Sequence, residues 1–542
     1  FTVVNTAITL QALEQAILAN EVKQLRKLKG LSSIASERGL KSDDSGQMTE
    51  NLASMSEQTA ESTIPTKVFG SASLKGKISR ILQRNESVFS RELKSEPAKI
   101  DPMKIVMNKA KWESEQNSKS PRIQGHIRNL EIMKQICKML RMSVIKRSKA
   151  HYWSQVLLIP KKTPGEWRFC IDYRVANEAT EVEKYPIPNI REMIDRIGEK
   201  KAKYFGVLDL TKGYYQAPLA KDSKEATAFV TTSGVYEWNR VAMGLAGAPA
   251  YFQRQMSTVV LSNLIYEICE VYLDDVIIMG DTEQQFAENL EKVLARLKQY
   301  NITVNPDKCE FGVQEIEYVG YKISHESKTF TRTKLQKAVK FTKPKKGKDM
   351  KSFLGLTNIF REHIPNYAEK EKPLRDMILD YDKTRSKVLN WTPNTEEALT
   401  NMQYEINECT PLFFYDQKSP VHIYTDASDV GWGAYICQIT SKGEVQPIGF
   451  ASRTFNQQQL RWSVPEREAY GVYAGIEHYK YLIRDVPFTL HTDHKNLTYI
   501  KDSGSSKVIR WKLDLMEYDY DLVHIPGHLN HTADLMSRNT AS

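Results

Sequence analysis

The stretch Val271-Tyr-Leu-Asp274-Asp275-Val-Ile-Ile278 decides how the chain is read. Two apolar, strand-prone runs meet at adjacent carboxylates, which spells a hairpin with acids at its tip. Such acids repel each other and resist desolvation unless a cation neutralises them. A divalent metal does so, and two metals ~3.5–4 Å apart can clamp an in-line phosphoryl displacement. A third acid, Asp209, closes the apolar run Phe205-Gly-Val-Leu208. Alone, an Asp-Asp pair is most simply a solvated turn. A second acidic set lies towards the C-terminus. Asp426 follows an alternating strand at 421–425, Asp493 ends a strand at 488–492, and Asp534 precedes Leu535-Met536. Glu468 sits on a helix opened by Ser463-Val-Pro-Glu466 in capping-box form, with Pro465 in its first turn. Singly, each reads as a cap or surface acid; together, four acids on separate elements could build a second two-metal site.

The rest of the chain narrows the classes. Its 542 residues suggest three or four domains at one per ~150 residues. With 41% hydrophobic and 26% charged residues, disorder is excluded as the main state. No apolar run approaches the ~20 residues of a membrane span. Six cysteines without a CxxC pair argue against a zinc cage or disulfide scaffold and for a reduced, intracellular protein. The excess of 76 Lys and Arg over 66 Asp and Glu suits contact with a phosphate backbone, although a merely basic surface reads equally well. The chain opens on Phe1 without a secretory signal pattern, so a piece of a longer polyprotein is expected.

Residues 1–95 stand apart as an N-terminal extension, partly disordered. A helix is expected over 10–28, ending in the basic run Lys23, Arg26, Lys27, Lys29, and a Ser/Thr/Glu-rich linker over 32–66. Asp44-Ser45-Gly46 has the form of an aspartic protease motif, yet Lys41, Ser42, Asp43 and Gln47 surround it instead of apolar strands. Strands are expected at 156–159 and 167–173 around the turn Thr163-Pro164-Gly165, and at 204–210. Helices are expected at 283–300 and 335–379, the latter interrupted by Lys343, Lys345, Lys346 and Lys348. Strands and helices alternate again from Val421, implying a separate α/β domain.

At these residues a family resemblance enters. Tyr272-Leu273-Asp274-Asp275 resembles the Tyr-x-Asp-Asp signature of reverse transcriptases. In order around it stand Leu158-Ile-Pro-Lys161-Lys162, Trp167-Arg168-Phe-Cys-Ile-Asp172-Tyr-Arg174, Val207-Leu-Asp209-Leu-Thr-Lys-Gly-Tyr214, Gly244-Leu-Ala-Gly-Ala-Pro249-Ala-Tyr-Phe252-Gln253, Asn305-Pro-Asp-Lys308-Cys-Glu-Phe311 and Tyr318-Val-Gly-Tyr321. Phe353-Leu-Gly-Leu, Ile364-Pro-Asn-Tyr367, Tyr424-Thr-Asp426-Ala-Ser, His491-Thr-Asp493-His-Lys-Asn-Leu497 and His524-Ile-Pro-Gly are similar to the Gypsy class of long-terminal-repeat retrotransposons. The series runs over residues 97–538.

The resemblance implies an α+β and α/β multidomain chain, a right-hand polymerase followed by an RNase H-like domain. The divisions are 96–203 for an N-terminal arm and fingers, 204–328 for the palm with the remaining fingers segment, 329–418 for thumb and connection, and 419–542 for RNase H. Asp209, Asp274 and Asp275, with the Leu210 carbonyl, would hold two Mg²⁺ ions, Mn²⁺ being the alternative. Lys161 (or Lys162) and Arg168 match residues that grip the incoming triphosphate. Tyr214 matches the ring that discriminates sugars, with a core aromatic as its alternative. Lys308 matches a pyrophosphate-protonating position, or is an ordinary surface lysine. Tyr318, Val319, Gly320 and Tyr321 match the primer grip, and the thumb lysines either track phosphates or form a solvated loop. Asp426, Glu468, Asp493 and Asp534 match the RNase H tetrad, again with two Mg²⁺ ions, and His528 or His531 would shuttle a proton there.

The expected partners are an RNA template, a DNA primer, RNA–DNA hybrid and dNTPs, with a homodimer left open and no membrane. The expected location is the cytoplasm, inside virus-like particles. One departure stands at Ala242-Met243, where the family usually has Pro and then an aromatic or Gln, which puts the sugar contact at Met243 in question. No integrase His/Cys set follows, so integration is not expected of this chain. A domesticated, non-catalytic scaffold would have lost active-site acids, yet all seven are present. An intron-type or telomerase-type polymerase would lack the contiguous RNase H segment.

Overall fold

The computed structural model describes residues 64, 66–113, 117–161, 165, 167–384, 388–493 and 505–525. Asp534, His528, His531, Lys162, the helix expected at 10–28 and most of the 32–66 linker lie outside the described residues. The chain forms two compact units. The first holds Tyr204–Val313 and the described residues before Ile190; the second holds Ile190–Lys203 and the described residues from Gln314 onward.

In the first unit a five-stranded sheet runs in the order Lys67–Val68, Glu310–Val313, Tyr204–Asp209, Asp275–Gly280, Cys269–Tyr272. The apolar runs that flank the acids form two inner strands and one edge strand, and Leu208, Val271, Val276, Ile277 and Ile278 are buried. Register places Asp209 opposite Asp275 and Tyr272 opposite Asp275 in this sheet, which falls in the segment expected to be the palm. Helix Glu283–Gln299, capped by Thr282, buries Phe286, Leu290, Val293, Leu294 and Leu297. Against it packs Ala72–Arg84, which buries Leu74, Ile78, Ile81 and Leu82. That helix falls inside the stretch read as an extension; its Lys- and Arg-rich outer face masked the apolar stripe. A second five-stranded sheet runs in the order Ile145–Arg147, Gly234–Trp238, Phe229–Thr231, Ser154–Pro160, Trp167–Asp172, and one core runs beneath both sheets.

In the second unit a four-stranded antiparallel sheet, Ile316–Tyr318, Tyr321–Ile323, Ser327–Phe330, Leu412–Phe413, carries four helices. The continuous helical stretch expected over 335–379 is divided into Arg332–Val339, Gly347–Thr357, a 3-10 turn Asn358–His363, and Tyr367–Thr384. Pro344 and Pro365 break it, because each removes a donor and disfavours helix in the residue before it. Helix Ile190–Glu199 also belongs to this unit. Asp195 pairs with Lys328, Arg191 with Glu362, and Gly198 lies so close to the Phe414 ring that a Cβ there would sit 1.9 Å from it.

A mixed five-stranded sheet follows, in the order Val445–Thr454, Gly431–Ile439, Val421–Ala427, Phe488–Thr492, Tyr520–His524. The last three are parallel. Helix Val464–Ile483 covers one face, brought close by Gly471 and Gly475 against Asp426 and Thr425. Ser452 on the edge strand accepts from Arg361 Nη2 at its carbonyl (2.8 Å) and from the Ala368 N–H at its hydroxyl (2.9 Å). No helix among the described residues is long and apolar enough to cross a membrane.

Candidate active sites

The first acidic cluster sits at the tip of the Cys269–Tyr272/Asp275–Gly280 hairpin. The turn residue Leu273 has φ +54°, a left-handed conformation that is costly for a non-glycine residue. Asp209 closes the neighbouring strand. The Leu210 N–H donates to the Asp274 carbonyl (2.9 Å), and the Asn305 N–H donates to the Asp209 carbonyl (2.8 Å), so both acid-bearing segments are tied down. A buried amide locks the loop after Asp209. Gln216 Nε2 donates to the Thr211 (2.9 Å) and Thr303 (2.8 Å) carbonyls, while its Oε1 accepts from the Thr303 N–H (2.7 Å).

In this cluster three carboxylates outweigh the one lysine that touches them. Burial, then Asp275 and Asp209, push Asp274 up to about 6, against the opposing pull of Lys308. Asp275 is raised by burial and by Asp209. Lys308 Nζ lies 2.8 Å from Asp209 Oδ2. Asp274 Oδ1 is buried without a hydrogen-bond partner, and a Cβ on Gly213 would come within 1.9 Å of it. Three hard oxygen donors, one of them orphaned, fit a divalent cation.

A cavity of about 700 Å³ opens beside these acids, lined by Lys161, Arg168, Lys212, Lys308, Met243 and Tyr215 among others. Lys161, Arg168, Lys308 and Met243 thus come together as the sequence suggests. Tyr214 does not line this cavity; its half-buried ring meets Phe252 edge-on (centroids 5.4 Å), and burial with nearby Asp274 raises its hydroxyl to about 12. Tyr215 stacked on Trp238 forms the wall instead. Lys212, at φ +51° and with its ammonium disfavoured by burial and by Lys138, is a cavity cation that sequence reading passed over, although it stands inside the Asp209–Tyr214 motif.

Tyr318–Tyr321 belongs to the second unit, where Val319 (φ +47°) and Gly320 (φ +80°) make a two-residue hairpin turn. The expectation of four contacting residues needs correction at Tyr318. Its side chain is 2% exposed and its hydroxyl points at Met193 Sδ (3.8 Å), because alternation along the strand turns it into the core. Tyr321 is partly buried beneath Lys334 Nζ, 4.2 Å from its ring.

The second acidic cluster joins Asp426, Glu468 and Asp493, whose ligand atoms all lie within 4.8 Å of one another. They come from a strand, a helix and a strand end, and Glu466 caps its helix by accepting from the Ser463 N–H (3.1 Å). Burial, then Asp426 and Asp493, lift Glu468 to about 8. His524 Nε2 bonds the Asp493 carbonyl (2.9 Å). Carboxylate oxygens alone again make a hard donor set that a divalent ion would satisfy.

Residues 159–323 match the family described as reverse transcriptase (RNA-dependent DNA polymerase), and residues 416–518 match the RNase H-like domain found in reverse transcriptase. The chain is 31% identical over 431 residues to the retrovirus-related Pol polyprotein from transposon 412 of Drosophila melanogaster, covering 78% of this chain and 34% of that protein. It is 33% identical over 425 residues to that from transposon 297 of the same fly (77% and 39%). It is 29% identical over 406 residues to the transposon Tf2-3 polyprotein of Schizosaccharomyces pombe (74% and 30%). The fold is that of the foamy viral protease-reverse transcriptase solved in complex with double-stranded DNA, at TM-score 0.72 and 21% identity, covering 89% of this chain and 84% of that one. The same viral protein in complex with RNA/DNA hybrid gives 0.64, over 89% and 64%.

The chain carries a reverse transcriptase domain with an RNase H-like domain behind it. Both domains lie in a stretch similar to the Pol polyproteins of Gypsy-type transposons, and the chain spans roughly a third of the length of the curated relatives it matches.

Proposed function

We propose that the chain copies RNA and then DNA into DNA at the first cluster and cuts the RNA strand of RNA–DNA hybrids at the second. The observation that supports this most is the convergence of Asp209, Asp274 and Asp275 on one hairpin tip, beside a cavity lined with cations. Asp209, Asp274, Asp275 and the Leu210 carbonyl hold two Mg²⁺ ions, with Mn²⁺ as a substitute. When bound, such a pair activates the primer 3′-hydroxyl and steadies the leaving pyrophosphate.

The chain's own groups do the rest. Arg168 forks onto phosphate oxygens of the dNTP and Lys161 serves as a point charge. Lys308 carries a proton beside Asp209, where pyrophosphate departs. Met243, 44% exposed at the cavity rim, bounds the sugar side together with Tyr215, where bulk beneath C2′ disfavours a ribose, and Tyr214 stands behind that wall against Phe252. Val319, Gly320 and Tyr321 grip the primer, and Tyr318 anchors their turn. At the second cluster Asp426, Glu468, Asp493 and Asp534 hold a further pair of Mg²⁺ ions, and selection rests on the 2′-hydroxyls of the RNA strand. His528 or His531 shuttles a proton there. The partners are an RNA template, a DNA primer, hybrid and dNTPs, with a second copy of the chain as a further one, in cytoplasmic virus-like particles.

Primer extension on an RNA template with dNTPs and Mg²⁺, run beside hybrid cleavage, tests the reading. Extension of the primer and shortening of labelled RNA support it. Intact hybrid binding with neither reaction would leave a non-catalytic scaffold. Gly213→Ala offers a finer check. A methyl group must push the Asp274 carboxylate aside, and a displacement near 1 Å costs about 10²-fold in turnover. Single-turnover extension should fall by that order while RNA cutting is unchanged; equal rates would place Asp274 outside the reacting centre.

A further inference from the structure

The hairpin tip is held on its inner side by Leu210 and by pairing with the strand that ends at Asp209. Beyond an isolated bridge from Ile265 to Cys269, its outer side has no strand neighbour among the described residues, because Cys269–Tyr272 is the edge of the palm sheet. There the Val271 carbonyl and the Leu273 N–H face Gln253, on helix Ala248–Gln255. Gln253 Oε1 accepts from the Leu273 N–H (2.7 Å), and Gln253 Nε2 donates to the Val271 carbonyl (3.0 Å). One side-chain amide thus supplies the donor and the acceptor that a further strand would offer.

We propose that Gln253 is a positioning residue for polymerisation: by holding both backbone groups on the outer edge of the hairpin, it fixes where Asp274 and Asp275 stand. This rests on reading that hairpin as the polymerase site.

Three observations carry it. Gln253 has no exposed surface, so losing either contact would strand a buried polar group. Its remaining N–H donates to Ser257 Oγ (3.1 Å), at the wide turn Met256–Val260 that follows the helix, so the amide is fully committed and cannot swing away. Its acceptor also grips the very residue, Leu273, whose left-handed φ persists only if its surroundings impose it. Losing a group that orients metal ligands from behind typically costs about 10–100-fold in metal affinity or activity.

The test uses the full chain with Asp426→Asn as background, so that the second acidic site does not contribute. Gln253→Met fills the same space without hydrogen bonds, and Gln253→Glu keeps the acceptor for Leu273 but loses the donor to Val271. Mn²⁺ binding is followed by electron paramagnetic resonance, primer–template binding by anisotropy, and extension by Mg²⁺ titration. In both variants Mn²⁺ affinity should weaken, and half-saturating Mg²⁺ should rise, by about 10–100-fold with duplex binding retained. Unmoved Mn²⁺ affinity in both variants overturns the proposal. So does loss of duplex binding together with early melting in both, which would make Gln253 a core filler. If the parent chain itself does not extend a primer, the reading of the site fails instead.

Discussion

Asp274→Asn should stop primer extension while leaving hybrid cleavage intact. Asp274 offers a buried oxygen without a protein partner, and removing its charge takes away a ligand that no neighbour replaces. Transition-state stabilisation by metals amounts to several kcal/mol, and at ~1.4 kcal/mol per tenfold the rate should drop by about 10³-fold. Stability should move the other way. Asp274 titrates at about 6, above an ordinary carboxyl near 4, so the folded chain holds a proton that the unfolded chain releases between those values. Its ionisation therefore destabilises the metal-free protein as pH rises from about 4 to 6, and fully so above 6. The Asn variant should melt higher than the parent at pH 8 without metal, and equally at pH 4. Loss of both activities together, or a lower melting point at pH 8, would count against the assignment.

Glu468→Gln should give the mirror result, with RNA cutting lost by a similar factor and extension kept. Glu468 is lifted to about 8 by burial and two neighbouring acids, so at neutral pH it is protonated in the metal-free protein. A divalent ion must displace that proton, which makes binding tighten as pH rises towards 8 and releases close to one proton at pH 7. Calorimetry in buffers of different ionisation enthalpy reads that proton directly. The Gln variant should release none, and continued RNA cutting by it would refute the role given to Glu468.

Much of both sites is legible in the sequence because carboxylates are costly beside apolar strands. Asp209, Asp274 and Asp275 interrupt runs whose burial is plain from composition, and their strands lie side by side. Asp426, Glu468 and Asp493 come together only because a strand, a helix and a second strand end at one place, which spacing cannot supply. Buried amides are less legible still. Gln216 and Gln253 act through backbone atoms of segments 87 and 18 to 20 residues away, and although Gln253 closes a family motif, nothing local names the partners of either. Tyr318 shows the opposite error, since a motif names a residue whose side chain the strand's alternation turns inward. Helix Ala72–Arg84 is hard to read because its Lys- and Arg-rich outer face interrupts the apolar stripe of Leu74, Ile78, Ile81 and Leu82.

The chain crosses from one unit to the other at 189/190, 203/204 and 313/314. Helix Ile190–Glu199 is therefore encoded in the middle of the polymerase half but folds with the C-terminal half, and Gly198 beneath Phe414 leaves no room for a substitute. A single cut at 314 cannot release a complete C-terminal unit. Any chimera joined there inherits the four-stranded sheet without the helix that pairs with Lys328 and Glu362, whereas a graft begun near 416 takes the five-stranded mixed sheet whole. That interleaving ties the four-stranded sheet to a segment encoded before residue 204, whereas the sheet that starts at Val421 is drawn from one continuous stretch of sequence.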